Sequence, residues 1–208
     1  KRVSPLDWRT FSGYFRRPAL SVLFLEFLCY MLAFGVFQSG FALFAERAYR
    51  WRGHPFTPRE VGYTLAYAGF LGIVLQGGLM GRLVKRFGEM ALVRAGFLTM
   101  VGAYALLGGV RTVAGLIAVT TVSAFGNGVL RPAITGLVSQ RAEAHEQGTA
   151  LGMLQSISSL AGMVAPPLGG LLLNGQHLFA WALLASGFAL CGLLLTLSKA
   201  QPAKAAIG

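Results

Sequence analysis

Charged residues are scarce in this sequence. They make up 12% of the 208 residues, while 55% are hydrophobic and the mean hydropathy is +0.62. A soluble domain carries roughly 25% charged residues, so this chain has too few to cover a water-facing surface. Its apolar residues also come in runs of about 20 or more, the length of helix that crosses a hydrocarbon core of ~30 Å. The sequence therefore predicts a multi-pass membrane protein.

Acidic residues are rarer still, 7 against 18 lysines and arginines, which gives a net charge of +11. On a soluble protein such a balance would suggest a nucleic-acid partner. Here the cations lie mainly between the apolar runs and are not interleaved with aromatics as on a base-stacking surface. Because cytoplasmic loops of membrane proteins tend to be positive, we expect no nucleic-acid partner.

The residue groupings typical of disulfides, metal sites and enzymes are also missing. Cys29 and Cys191 both lie in apolar segments, and His54, His145 and His177 lie in separate loops, so neither a disulfide framework nor a metal site is indicated. The sequence contains no HExxH, GxSxG or Walker motif and no paired intramembrane carboxylates. We expect no enzyme activity, no cofactor and no use of ATP.

Six apolar segments remain when the chain is divided at its charged and turn-forming clusters. They lack the period-two alternation of membrane β-barrel strands, so the predicted class is all-α with six transmembrane helices. A basic cytoplasmic segment (1–18) is predicted before the bundle (19–200), and a cytoplasmic tail (201–208) after it. The predicted spans are 19–45, 60–84, 89–110, 112–138, 148–173 and 177–198, with a tight turn at 81–88.

The basic residues between the spans predict the orientation. Eleven lysines and arginines lie on the side shared by the N-terminal segment, the second-to-third turn, the fourth-to-fifth loop and the tail, and five lie on the opposite side. The positive-inside rule places the richer side, and with it both termini, in the cytoplasm. The chain starts without Met or a signal-peptide pattern, in a basic interface-like segment, so we expect it to be part of a longer protein.

An internal repetition and several small or helix-breaking residues suggest how the bundle is built. GLMGRL at 78–83 and PLGGLL at 167–172 close the second and fifth spans on opposite sides, as an inverted repeat of three plus three helices predicts. Two glycine pairs with GxxxG spacing predict close helix packing: Gly77/Gly81 and Gly148/Gly152. Four residues inside spans predict helix hinges: Pro132, Pro166, Pro167 and Gly170.

The stretch GRLVKRFGE at 81–89 resembles the cytoplasmic loop motif G-x-L-x-D-R-x-G-R of the major facilitator superfamily. The glycines, the leucine and Arg86 match, while Lys85 stands where the family has Asp. Such a loss is common in the second copy of the motif, so the chain resembles the C-terminal half of these transporters. The residues assigned to the loop motif are Gly81, Arg82, Arg86 and Gly88.

The stretch 126–172 is similar to drug:proton antiporters of the tetracycline-efflux type. Their motif G-x-x-x-G-P-x-x-G corresponds to 162–170 here, with Pro166 in place of one glycine. The resemblance implies half of a major facilitator fold in a bacterial inner membrane. Its first and fourth spans would line a cavity, its second and fifth flank it, and its third and sixth face lipid. The implied partners are a small-molecule substrate, protons, and a missing N-terminal six-helix half or a second copy.

Two charges inside the implied cavity-lining spans are candidates for coupling or gating. Glu26 and Arg131 each lie about seven residues from a cytoplasmic span end, ~10 Å deep at 1.5 Å per residue. A charge in hydrocarbon tends to face the protein interior or water, so the two side chains can pair or gate the cytoplasmic mouth. Alternatively, Arg131 snorkels to lipid phosphate and Glu26 pairs locally.

Uncharged polar side chains at moderate depth are candidates for substrate contacts: Gln38, Tyr67, Asn127 and Gln155. Each can equally hold helices together, and Asn127 can satisfy the backbone freed by the proline at 132. Four aromatic residues at helical spacing on the first span can pack against neighbouring helices or line a drug pocket: Tyr30, Phe34, Phe37 and Phe41.

These features together predict a secondary active transporter that exports a small amphipathic, drug-like compound in exchange for protons by alternating access. Within transport, the alternative is a facilitator or symporter for sugars or metabolites. Outside transport, the alternative is a membrane scaffold or a truncated half that moves no substrate.

Overall fold

The structure is a computed structural model that describes residues 18–198, with side chains described from Leu20 onward. The predicted basic segment before Pro18 and the tail 201–208 lie outside the described residues. Within the described range, six helical spans are long and apolar enough to cross a membrane, so the all-α, six-span prediction is confirmed. The helices are α1 (Pro18–Ala48), α2 (Pro58–Val74), α3 (Met80–Phe87), α4 (Glu89–Leu107), α5 (Val113–Arg141), α6 (Gln147–Asn174) and α7 (Leu178–Leu197).

Local sequence signals set the ends of the second span. Thr57 is the N-cap of α2: its hydroxyl accepts from the Arg59 N–H, and Glu60 accepts from the Thr57 N–H at 2.8 Å. This reciprocal arrangement is a capping box, and a proline at the first helical position strengthens it. Two short antiparallel strands, β1 (Arg50–Trp51) and β2 (His54–Pro55), lie between α1 and α2.

The second span is one continuous helical path with a wider turn inside it. A π-helical segment, Leu75–Leu79, joins α2 to α3 without a break. The predicted tight turn at 81–88 is therefore wrong, because residues 81–87 are helical. Of the four motif residues Gly81, Arg82, Arg86 and Gly88, only Gly88 lies in the turn. Its φ of 76° suits glycine, and this one residue is enough to reverse the chain before α4.

Helix packing follows the symmetry of two three-helix repeats. α1 packs against α6 and α7, while α5 packs against α2 and α4. If the first, second and third spans are exchanged with the fourth, fifth and sixth, the contacts of α1 become the contacts of α5. The α1–α5 and α4–α7 contacts are unchanged by this exchange. Spans three apart run in opposite directions, so the repeat is inverted, as the sequence predicts.

Close helix contacts occur at glycines outside the predicted GxxxG pairs. A Cβ added at Gly126 of α5 would lie 2.8 Å from the Gly96 carbonyl oxygen of α4, and one at Gly192 of α7 would lie 2.2 Å from the Phe97 ring of α4. Two pairs with GxxxG spacing differ: nothing lies within 4 Å of an added Cβ at Gly77, Gly81, Gly148 or Gly152. These four glycines lie on faces of the second and fifth spans that point away from the described bundle, so their close packing against another helix stays a prediction.

Aromatic and backbone contacts tie the first span to the last two at its C-terminal end. Trp181 of α7 is fully buried, stacks on Phe44 with centroids 4.8 Å apart, and donates its indole N–H to the Val36 carbonyl oxygen at 3.1 Å. The Arg47 guanidinium donates to the Leu173 carbonyl oxygen at the end of α6. These contacts fix the position of α1, which carries the aromatic stripe.

Tyr49, just beyond α1, has a buried hydroxyl with no hydrogen-bond partner in the described part of the chain. Its ring packs against Phe44 and Phe56, with centroids 5.9 and 5.5 Å away. Burial raises the pKa of Tyr49 to about 12, and the nearby charge of Arg111 acts in the opposite direction. The side chain is therefore neutral at physiological pH and serves as an aromatic anchor.

The predicted hinge residues lie within helices that the structure keeps continuous. Pro132 lies inside α5, and Pro166, Pro167 and Gly170 lie inside α6. A proline removes one backbone donor from the helix but does not prevent it from continuing when packing supports it. Their role as hinges stays a prediction.

Candidate substrate cavity

A cavity of about 360 Å³ lies between α1, α2 and α5. The first and fourth spans, which the resemblance implies as cavity-lining, form two of its walls, and the second span forms the third. Its lining residues are Tyr30, Phe34, Phe37, Gln38 and Phe41 of α1, Thr64, Leu65, Ala68, Gly69 and Gly72 of α2, Gln76 of the π-helical segment, and Thr120, Ser123, Ala124, Asn127, Gly128 and Arg131 of α5.

The aromatic stripe of α1 forms the apolar wall of this cavity. Tyr30 and Phe41 are buried, while Phe34 and Phe37 are half-buried. Phe37 also stacks on Tyr104 of α4, with ring centroids 4.9 Å apart. The stripe therefore serves both of the roles considered for it, because its rings pack against neighbours and face the cavity.

Asn127 is held on the opposite wall by two hydrogen bonds. Its Nδ2 donates to the Ser123 carbonyl oxygen at 2.9 Å and to the Tyr104 hydroxyl at 3.3 Å. Since a carbonyl oxygen can only accept, the amide orientation is fixed with Nδ2 on that side. Pro132 leaves the Gly128 carbonyl oxygen without its usual helical donor. The Asn127 amide donates to the Ser123 carbonyl oxygen instead, so it does not satisfy the carbonyl freed by the proline.

The same geometry leaves an acceptor unsatisfied. Oδ1 of Asn127 is buried and accepts no hydrogen bond from any residue between 20 and 198. A buried polar atom without a partner costs about 1–3 kcal/mol. A donor brought by a water or by a bound molecule would recover that free energy, which makes Asn127 a polar anchor point beside the aromatic wall.

Arg131 lies where the cavity meets a second one. A cavity of about 470 Å³ adjoins the first, and Gln76 and Arg131 line both. The second cavity is otherwise lined by Pro132, Thr135, Gly136, Ser139 and Leu151, and it lies toward the end of α5 that carries Arg141. The guanidinium makes no hydrogen bond or ion pair with the side chains and backbone of the described range. Arg131 is thus a cation that a molecule in either cavity can reach.

Glu26 occupies a different environment from the one predicted for a partner of Arg131. Its side chain is fully buried and does not line the cavity. It lies one helical turn from Tyr30 on the same face of α1, ~6 Å along the axis at 1.5 Å per residue. Among the described residues, no ion pair joins Glu26 to Arg131, so their direct pairing is not found in this structure.

The other predicted contacts divide between the cavity and its surroundings. Gln38 lines the cavity, as do Asn127 and Arg131. Tyr67 does not line it: its hydroxyl lies 3.0 Å from the Thr121 hydroxyl and links α2 to α5. Gln155 is exposed on α6, away from the cavity. Tyr67 therefore holds helices together, and Gln155 faces outward.

Several polar lining residues were missed from the sequence: Thr64, Gln76, Thr120 and Ser123. Gln76 carried the clearest signal, since it is an amide inside an apolar run beside two glycines. The hydroxyl residues gave none, because Ser and Thr can bond to their own helix. Thr64 and Ser123 do so, through the carbonyl oxygens of Glu60 and Thr120.

The cavity combines aromatic surface, neutral polar groups and one positive charge. Between residues 20 and 198, no carboxylate and no histidine lines the cavity, and no cluster of metal-ligating side chains is present. Such a site suits a molecule that has an apolar ring system and a small number of polar groups.

The chain shares sequence with known proteins. Residues 27–207 match the family model of the Major Facilitator Superfamily. The chain is 30% identical over 183 residues to Multidrug resistance protein 1 of Bacillus subtilis, covering 85% of the chain and 46% of that protein.

Two tetracycline resistance proteins are similar to the chain as well. Identity to the class B protein of Escherichia coli is 30% over 132 residues, covering 64% of the chain and 31% of that protein. Identity to the class D protein of Salmonella ordonez is 28% over 185 residues, covering 87% and 44%. The chain spans less than half the length of each of these relatives.

Proposed function

Because the chain belongs to the major facilitator superfamily, a family of transporters and not of enzymes, we propose that it forms one half of a proton-coupled exporter of small amphipathic compounds. The relatives named for multidrug and tetracycline resistance support export of drug-like molecules. The observation that carries the proposal is the cavity between α1, α2 and α5, with aromatic rings on one wall and Asn127 and Arg131 on the other. Alternating access would expose this cavity to the two sides of the membrane in turn.

A second six-helix bundle is the proposed partner. Within an 18-residue apolar stretch of each span, 17% of residues in the second and 28% in the fifth are buried in the described bundle, against 50% in the first and fourth. The exposed faces carry the glycine pairs at 77/81 and 148/152, which have open space around them. Small residues let helix backbones approach closely in lipid, so these faces suit contact with another bundle. We propose a covalent N-terminal half as that bundle, with a second copy of this chain as the alternative.

Glu26 is the proposed proton-coupling group, with Arg131 gating the cytoplasmic mouth. A carboxyl group inside a span can bind and release a proton as the site opens to one side of the membrane and then to the other. The fully buried position of Glu26 one turn from the cavity supports this role.

The proposed location is a bacterial inner membrane with both termini in the cytoplasm. Arg82, Lys85 and Arg86 of α3 and Arg141 at the end of α5 lie at one end of the bundle. Together with the basic residues of the N-terminal segment and the tail in the sequence, they outnumber those of the other end by eleven to five, which supports that orientation.

Gradient-driven flux tests the proposal. The full-length protein that contains this chain would be reconstituted in vesicles, and movement of ethidium and of tetracycline would be followed with and without an imposed proton gradient. Gradient-dependent movement of either compound is expected. Gradient-independent movement would favour a facilitator, and intact insertion without movement of any tested compound would favour a scaffold.

A further inference from the structure

We propose that Arg131 makes this cavity selective for amphipathic aromatic compounds that carry an anionic oxygen group, such as a carboxylate or an enolate. This inference rests on the proposed function in taking the cavity as the substrate site. It goes further by naming which chemical class that site accepts and which residue selects it.

The charge balance of the cavity favours an anionic ligand. Among the described residues that line either cavity, Arg131 is the one charged side chain. The acid of the first span, Glu26, is fully buried outside both linings. This wall therefore presents a net positive charge to whatever binds beside it.

Arg131 is available to bind an anionic group. Its side chain is exposed toward the cavities and forms no hydrogen bond or ion pair with the part of the chain that the structure describes. An uncompensated cation at membrane depth is unfavourable. A ligand carboxylate can accept two parallel hydrogen bonds from the planar guanidinium, a geometry that also gives directional specificity.

The aromatic wall favours a ligand that has a ring system. Tyr30, Phe34, Phe37 and Phe41 line the same cavity as Arg131, and the volume of about 360 Å³ is within the range of small-molecule pockets. A ring system against this wall can place its anionic group at Arg131, with the neutral amide of Gln76 alongside. A cationic group in the same place would face a like charge, with no carboxylate among the described lining residues to offset it.

Three probes that differ in charge but share one ring system test this selectivity. Equilibrium binding of 2-naphthoate, 2-naphthylmethanol and 2-naphthylmethylammonium to the full-length purified protein would be measured at neutral pH. Binding to protein-free detergent or lipid would be subtracted. We expect naphthoate to bind at least about tenfold more tightly than the ammonium probe, as one charge-assisted contact predicts.

The Arg131→Gln variant should lose that preference. Naphthoate binding should weaken at least about tenfold, while binding of the neutral alcohol changes less than about twofold, which also reports an intact fold. Arg131→Lys should retain part of the preference, since it keeps the charge and loses the paired geometry. If the glutamine variant does not fold, the ratio of naphthoate affinity to ammonium affinity in the lysine variant tests the inference, and a ratio unchanged from the parent protein would contradict it.

Arg94→Gln is the matched control. Arg94 is also an arginine inside a span, but it donates to the Thr196 carbonyl oxygen and does not line either cavity. Its substitution should leave all three affinities unchanged. An ammonium probe that binds as well as naphthoate, or a naphthoate preference that survives Arg131→Gln, would overturn the inference. These measurements use no gradient, so absence of gradient-driven flux would contradict the proposed function while leaving the binding result valid.

Discussion

Replacing Gly126 with alanine should destabilise the protein, because the added methyl group has no room between α4 and α5. Comparison with an uncrowded glycine of the same helix separates this steric effect from the higher helix propensity of alanine. Gly126 lies on α5 where it crosses α4, next to Asn127. An added Cβ would lie 2.7 Å from Met100 Cγ, 2.8 Å from the Gly96 carbonyl oxygen and 2.8 Å from Thr99 Oγ1. One of these atoms belongs to the α4 backbone, so a side-chain rotation alone cannot make room. The two helices must move apart by several tenths of an ångström.

The magnitude follows from two opposing effects. Glycine to alanine inside a helix is worth roughly 0.5–1 kcal/mol in favour of the variant. Overpacking a tight contact costs about 1–3 kcal/mol. Gly136 lies on the same helix with nothing within 4 Å of an added Cβ, so Gly136→Ala should show the first effect alone. The difference between the two variants should therefore be about 1–3 kcal/mol, with Gly126→Ala the less stable.

The assay is thermal unfolding of the two variants and the parent protein in the same detergent. One kcal/mol corresponds to about 2–4 °C in Tm for a domain of 150–250 residues. We expect Gly136→Ala to melt at or above the parent temperature and Gly126→Ala at least about 2 °C below Gly136→Ala. Equal melting temperatures would refute the close α4–α5 contact and the placement of Asn127 that depends on it.

Three further substitutions test other parts of the structure. Tyr49→Phe should raise the free energy of unfolding by about 1 kcal/mol, because it removes a buried hydroxyl without a partner in the described range; a loss of stability measured by denaturation would contradict this. Thr57→Ala should lower it by about 1 kcal/mol through loss of the capping box with Glu60, and Thr57→Ser, which keeps the hydroxyl, should have little effect. Glu26→Gln should abolish gradient-driven flux with normal membrane insertion, since an amide cannot release a proton; unchanged flux in vesicles would exclude the coupling role.

The fold class could be predicted from the sequence because the bilayer leaves few choices. Every backbone polar group in lipid must be satisfied within the segment, so apolar runs of this length are helices. The π-helical segment and the continuation of the helix beyond the predicted end at 84 to Phe87 could not be predicted in the same way. Glycines beside cations look like a turn in the sequence, whereas the structure continues through a π-helical segment and reverses only at Gly88.

The candidate site was predictable only in part because the spans are apolar on all sides. Depth along a span can be counted from its charged ends, and this placed Gln38, Asn127 and Arg131 at suitable levels. The direction of a side chain around the helix depends on packing, which a uniformly apolar pattern does not encode. Tyr67 and Gln155 have suitable depth but different directions: one contacts Thr121 and the other faces outward.

Substrate protection of single cysteines tests the central claim most directly, that the cavity between α1, α2 and α5 is the transport site. In the full-length protein with its native cysteines replaced by serine, Gln38→Cys and His145→Cys would each be alkylated with and without a transported compound. Both side chains are exposed, but Gln38 lines the cavity while His145 lies in the loop between α5 and α6. We predict slower labelling at position 38 in the presence of the compound and unchanged labelling at position 145. Equal effects at both positions, or protection at 145 alone, would contradict the assignment of the cavity.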